Sequence, residues 1–190
     1  MSEKRIGVVG AGGTGKSGLA SILAERLGIA YVAAKSITRP ILERKGYDWS
    51  SGTFVEEFLA QEECQQEILA KTIELEKTAG GFVTDRTPVD LAAYAIIMLH
   101  KKVSKVDDMV AACYDHVKNY THLIFCPWGQ QPIERNEVRT LNPWFQFAVH
   151  GAMMALLKQW DLKYLVISAT GDDRVREALE YIAPKRRVQS

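Results

Sequence analysis

Cysteine is scarce in this chain: Cys64, Cys113 and Cys126 stand apart, with no CxxC pair among them. That spacing excludes a disulfide framework and a cysteine-based zinc site, and it makes each thiol a small apolar core residue in a reducing compartment. Histidine is equally thin. His100, His116, His122 and His150 show no metal-ligand spacing and are expected to be structural or exposed. No apolar run approaches the roughly 18 residues of a membrane span, and the opening MSEKRIG lacks the hydrophobic core of a signal peptide. A cytoplasmic chain without membrane contact is the expectation. Charge of one sign is lacking too: 24 basic against 23 acidic side chains leave +1, so no global imbalance points to nucleic acid. The basic tail Lys185, Arg186, Arg187 is expected to be a solvated terminus. With 190 residues, 47% of them hydrophobic, one domain burying roughly 70% of its unfolded surface is expected over the whole length.

The chemistry that is present begins at Gly10 to Ser17, GAGGTGKS, which fits GxxxxGK[ST] in full. Glycines let the backbone curl so that successive N–H groups point at a phosphate, Lys16 adds a mobile cation, and Ser17 offers its hydroxyl to Mg²⁺. The expected nucleotide ligands are Gly12, Gly13, Thr14, Gly15, Lys16 and Ser17. Ile6 to Val9 reads as a strand before the loop and Gly18 to Leu27 as a helix after it, so a helix N-terminus faces the phosphates.

Further along, strands are expected at Ile29 to Ala34, Phe82 to Thr84, His122 to Cys126 and Lys163 to Ser168. Helices are expected at Ser36 to Arg44, from a Thr53 cap to about Lys77, from Pro88 to about His100, at Lys105 to Tyr120, from Asn142 and Pro143 to about Trp160, and at Asp172 to Ile182. The long helix from Thr53 carries an apolar stripe of Phe54, Phe58, Ile68, Leu69 and Leu75, with Glu56, Glu57, Glu62, Glu63 and Glu67 as a solvated face. Met153 and Met154 read as core filler, and Trp49, Trp128 and Trp144 as core rather than base-stacking residues. Strands alternating with helices imply an α/β fold with a parallel sheet covered on both faces. The site then lies beyond the carboxyl ends of the strands, with Ser36, Asp85, Trp128 and Thr170 on the same rim as the P-loop.

On that rim, TDRTPVD is the second signal. Asp85 closes a buried strand, where an acid can hold Mg²⁺ or take a proton from an attacking hydroxyl; Arg86 can grip a phosphate; Asp90, a turn on, can face substrate or favour the helix start. Arg135 and Arg139 share a helical spacing in a lid-like segment at about 129–142, where a cover over the γ-phosphate would bring a cation to developing charge. Ser168 to Asp172 can cradle an adenine through backbone groups. Catalytic roles are thus expected of Lys16, Asp85 and Arg139, nucleotide binding of Arg135, and metal binding of Ser17 and Asp85.

The P-loop, the TDRTPVDLAAYA stretch and the arginine-bearing region before a long helix together resemble the P-loop small-molecule kinases, above all ATPase domains like that of ribosylnicotinamide kinase, a group with many phage members. The resemblance implies a five-stranded parallel sheet of order 2-3-1-4-5, ATP and Mg²⁺, and an acceptor hydroxyl bound between the second-strand region and the lid; for a phage protein the compartment would be the host cytoplasm. In such kinases the segment after the second strand often reads acid-x-x-Arg, with the acid as base. Here it reads Ser36-Ile-Thr-Arg39. Arg39 is carried over as a substrate ligand with Ser36 beside it, and Asp85 becomes the candidate base. The expected activity is ATP- and Mg-dependent transfer of a phosphoryl group to a hydroxyl of a nucleoside, nucleotide or related small molecule. One alternative is a phage-type kinase acting on 5-hydroxymethyluracil or 5′ ends in DNA, with Lys35, Arg39, Arg44 and Lys45 as a local basic patch. Another is an NTP-hydrolysing switch, disfavoured because Arg86 rather than Glu follows Asp85 and because no NKxD loop is present.

Overall fold

A computed structural model of the chain describes residues 3–47, 60–130 and 142–183. Five short apolar segments pair side by side, all parallel: β1 (Arg5–Val9), β2 (Ala30–Val32), β3 (Phe82–Thr84), β4 (His122–Phe125) and β5 (Tyr164–Val166). Their order is β2-β3-β1-β4-β5, as the resemblance implied. Between them run α1 (Lys16–Leu27), α2 (Ala34–Arg44), α3 (Glu62–Ala79), α4 (Pro88–Leu99), α5 (Val103–Val117), α6 (Pro143–Gln159) and α7 (Asp173–Ile182).

The period of two along each strand sorts the core into two layers. Ile6, Val8, Val83 and Ile124 point to the face covered by α1 and α7, where they meet Leu19, Leu23, Ala178 and Ile182. Val9, Phe82, Leu123 and Phe125 point to the other face, covered by α3, α4, α5 and α6 through Ile68, Leu91, Cys113 and Met153. α4 is apolar nearly all round because it lies between α5 and α6. The three thiols are buried, and burial pushes Cys113 up to about 12, which leaves it inert as a nucleophile.

Three expectations change. The long helix begins, within the described residues, at Glu62, because Gln61 is extended (φ −89, ψ 114) and interrupts any helix from Thr53; Trp49, Thr53, Phe54 and Phe58 lie outside the described residues. β2 is shorter and less buried than predicted: it is a sheet edge, so Ala30 faces solvent. Met153 is core, whereas Met154 and Trp144 are exposed, since α6 turns only one stripe inward.

Away from the rim, the helix faces are tied by a buried polar cluster that periodicity could not reveal. Glu76 of α3 accepts from the Tyr120 hydroxyl and pairs with His116 Nε2 at 2.7 Å. Replacing Glu76 by Ala strands two buried polar groups, each costing about 1–3 kcal/mol. The expected result is a loss of about 3 kcal/mol in urea unfolding with an unchanged m-value.

Candidate active site

At the carboxyl end of β1 the chain leaves the sheet through the P-loop, and two glycines there are sterically required. A Cβ at Gly10 would sit 2.7 Å from the Cys126 carbonyl oxygen, and Gly15 adopts φ +75 as it caps α1. The loop's own bonds hold it open. The Thr14 hydroxyl donates to the Ala11 carbonyl at 3.0 Å, and Lys16 Nζ donates to the same oxygen at 3.0 Å. Burial lowers the Lys16 pKa, against the pull of Asp90 and Asp85, which raise it. A half-buried lysine is suited to a phosphate, which restores the charge compensation that water gives elsewhere.

Asp85, at the end of β3, is buried beside the loop. Its Oδ2 accepts from the Ser17 hydroxyl, and its Oδ1 accepts from the Ala34 N–H at 2.7 Å. One carboxylate thus joins α1 to the start of α2. Tyr31 donates to the Ser17 carbonyl at 3.4 Å, and its own pKa is raised by burial and by Asp85. A hydroxyl and a carboxylate oxygen in contact at the mouth of a P-loop are the hard donors that Mg²⁺ takes from protein, the rest of its shell coming from water and phosphate. Among the described residues no group of three or more His, Cys, Asp or Glu is placed to hold a metal.

Asp90, expected either to face substrate or to favour the helix start, is placed for the second. It is buried, completes a capping box with Thr87, and accepts from the Gly10 N–H at 3.4 Å. Burial raises its pKa, opposed by Lys16 and the Thr87 bonds. Arg86 is half-buried, with its guanidinium 5.5 Å from the Tyr94 ring centroid, and its charge is felt at Lys16. Ser36 lies on the exposed side of α2 and donates to Ala33 O at 2.7 Å. Arg39 is exposed one turn further along. Arg44, counted in the basic patch, is paired with Glu67. Trp128 is half-buried against the core. The turn after β5 is held from within: Glu177 accepts from the Ser168 and Ala169 N–H groups at 3.1 and 3.0 Å, so those two donors are already used. Arg135 and Arg139, with most of the lid-like segment, lie outside the described residues.

Two contacts reach the P-loop from distant sequence and were not anticipated. Gln146 of α6 is buried and accepts from the Gly12 N–H at 2.7 Å. Arg174 of α7 is buried beneath the loop and donates to Thr14 O at 2.9 Å and to Cys126 Sγ at 3.1 Å. Holding the Thr14 carbonyl downward turns the next N–H, that of Gly15, toward the opposite side, where a phosphate would lie. Nothing local in the sequence marks either residue. Gln146→Leu keeps the volume but leaves the half-buried Gly12 N–H without this partner. It is expected to cost about 1–3 kcal/mol and to weaken nucleotide binding several-fold, read by denaturation and calorimetric titration.

Comparison with known proteins agrees with this geometry. No curated protein sequence matches the chain. Among solved structures, it is similar to the NadR protein in complex with NR (TM-score 0.65, 16% identity, 95% of this chain and 50% of that one). It is similar as well to thymidylate kinase from Candida albicans (0.66, 15%, 95% and 91%) and to deoxyadenosine kinase from M. mycoides with bound dATP (0.57, 13%, 93% and 98%). The chain spans about half the length of the NadR chain it matches. These likenesses establish the fold of the P-loop small-molecule kinases. A family profile described as an AAA domain matches residues 5–174, from the first residue of β1 to the arginine beneath the P-loop, and the chain belongs to that AAA-domain family.

Proposed function

We propose that this protein is an ATP- and Mg²⁺-dependent kinase that transfers the γ-phosphoryl group to a hydroxyl of a nucleoside, a nucleotide or a related small molecule. The observation that carries the reading is the Ser17–Asp85 contact at the mouth of an intact P-loop whose lysine is half-buried. Among the named proteins with this fold are thymidylate kinase from Candida albicans and deoxyadenosine kinase from M. mycoides, the latter with bound dATP, which supports the class of reaction and of acceptor.

In this reading the N–H groups of Gly13 to Ser17 cradle the phosphates, and Lys16 turns from Ala11 O toward them. Ser17 and Asp85 are the residues that would hold Mg²⁺, which when bound neutralises charge on the phosphate oxygens. The acceptor oxygen attacks the γ-phosphorus, the bond to the β-phosphate oxygen breaks, ADP departs, and the hydroxyl proton leaves with solvent or a base. Asp85 already spends both oxygens on Ser17 and Ala34, so its part is to hold metal and architecture rather than to take the proton. A loose transition state needs little from a base, so a chain with Ser36 where an acid often stands can still transfer phosphate. Arg39 and Arg86 are the proposed ligands of a phosphate or hydroxyl on the acceptor, while Arg135 and Arg139 are proposed to meet the nucleotide phosphates. Beside Ser36, α2 and α3 flank an open groove of about 510 Å³, a size that suits a small acceptor.

The test is transfer from γ-labelled ATP with Mg²⁺ into nucleosides, nucleotides, ribosylnicotinamide, plain DNA ends and hydroxymethyluracil-containing DNA. Label on one small acceptor is expected. Label on DNA alone would overturn the small-molecule reading, and free phosphate without any labelled acceptor would overturn the kinase.

A further inference from the structure

α6 presents an apolar face that nothing in the described fold covers. Trp144, Phe147 and Met154 are 74%, 53% and 47% exposed, and between them lie the exposed small residues Ala148, Gly151 and Ala155. Lys158 is the only charge on this stripe. Phe147 is held upright by edge contacts with Trp128 and Trp144, at ring-centroid distances of 5.7 and 6.4 Å, so the ridge is rigid before any partner arrives. Large exposed apolar stripes of this kind mark interaction surfaces.

Gly151 says what the partner is. A glycine in a helix interior costs about 1 kcal/mol relative to alanine, yet a methyl group at this position would meet no atom within 4 Å. The packing of the described residues therefore does not require it. Close approach of another helix does. The residues of the stripe stand at −7, −4, −3, 0, +3, +4 and +7 relative to Gly151, so an antiparallel copy of α6 crossing there matches position by position. Trp144 then faces the partner's Lys158, Phe147 the partner's Ala155, and Met154 the partner's Ala148, each bulky side chain against a small one or an aromatic face against an ammonium.

We infer that this protein forms a two-fold symmetric homodimer through α6, centred on Gly151 and built by insertion of Phe147 and Met154 over the small residues of the facing helix. An isologous contact needs a self-complementary patch, and this face is one. Trp144, Phe147 and Met154 from both copies, with the lysine stems and small residues between them, reach roughly the 1,000 Å² that a specific interface buries.

The experiment is the mass in solution of the full chain by sedimentation and light scattering at about 10 μM, where a Kd of about 1 μM leaves most copies paired. Twice the chain mass is expected. Phe147→Glu, a change at an exposed position that should leave the circular dichroism unaltered, is expected to halve that mass. Gly151→Cys places a thiol on the two-fold axis, within the Cα separation of about 4.4–6.8 Å that a disulfide spans. Mild oxidation should convert it to a covalent dimer, while the wild type, whose three cysteines are buried, stays uncrosslinked. A wild-type monomer, a dimer unaffected by Phe147→Glu, or a Gly151→Cys protein that fails to cross-link would each overturn the proposal. A complex with a different protein and no self-association would do the same.

Discussion

Replacing Lys16 by Ala is expected to lower phosphoryl transfer by about a thousandfold or more, because a preorganised cation at developing charge is worth that much in a dry site. The fold should survive. Lys16 makes one hydrogen bond, to Ala11 O, and burial disfavours its ammonium, so its removal takes away an unfavourable desolvation along with the bond. The pH dependence separates this from a general loss of structure. A lysine whose folded pKa lies below the unfolded 10.5 leaves the native state with fewer bound protons in that interval, so wild-type stability gains from this group as pH rises from the depressed value toward 10.5. Lys16→Ala should lack that gain. Thermal melts from neutral to alkaline pH, beside γ-label transfer at neutral pH, read both consequences. Undiminished transfer would remove the P-loop from the mechanism.

The second large effect is expected at Asp85. Asp85→Asn can still accept from the Ala34 N–H through its oxygen while its amide faces the Ser17 hydroxyl, so α2 stays anchored and the melting temperature should change little. What disappears is the negative charge that would hold Mg²⁺ against Ser17. Turnover should fall by about a hundredfold or more, with the surviving rate requiring higher Mg²⁺. Asp85→Ala differs instructively. It also frees the half-buried Ala34 N–H, so it should lose stability by about 1 kcal/mol as well as turnover. Equal rates for wild type and Asp85→Asn would send the search for the metal-holding acid to the glutamates near the start of α3.

Asp90 shows how a local pattern can leave two roles open. Its place after Thr87 and Pro88 marks a helix start, and the structure has a capping box there. The same carboxylate also accepts from Gly10 across eighty residues of sequence, which turns it away from solvent. No local pattern distinguishes an acid that faces the substrate from one that faces the loop. Met154 and Trp144 fail the core assignment for a related reason. Residue type alone does not say which stripe of α6 turns inward, and here Gln146, Val149, Met153 and Leu157 take the interior.

From the sequence alone, the P-loop, the strand and helix alternation, Asp85 at a strand end and the helix starts at Pro88 and Asn142 could be read. Each is a local signal: a glycine pattern, an apolar period, or a side chain bonding to backbone a few residues away. Tertiary structure alone brought Ser17 onto Asp85, ran Arg174 beneath Thr14, set Gln146 against Gly12, and buried Glu76 with His116 and Tyr120. Those contacts join elements that are far apart in the chain and meet only because parallel strands bring their carboxyl ends to one rim. A buried polar group is defined by the partner it finds there, and hydrophobic periodicity carries no information about that partner.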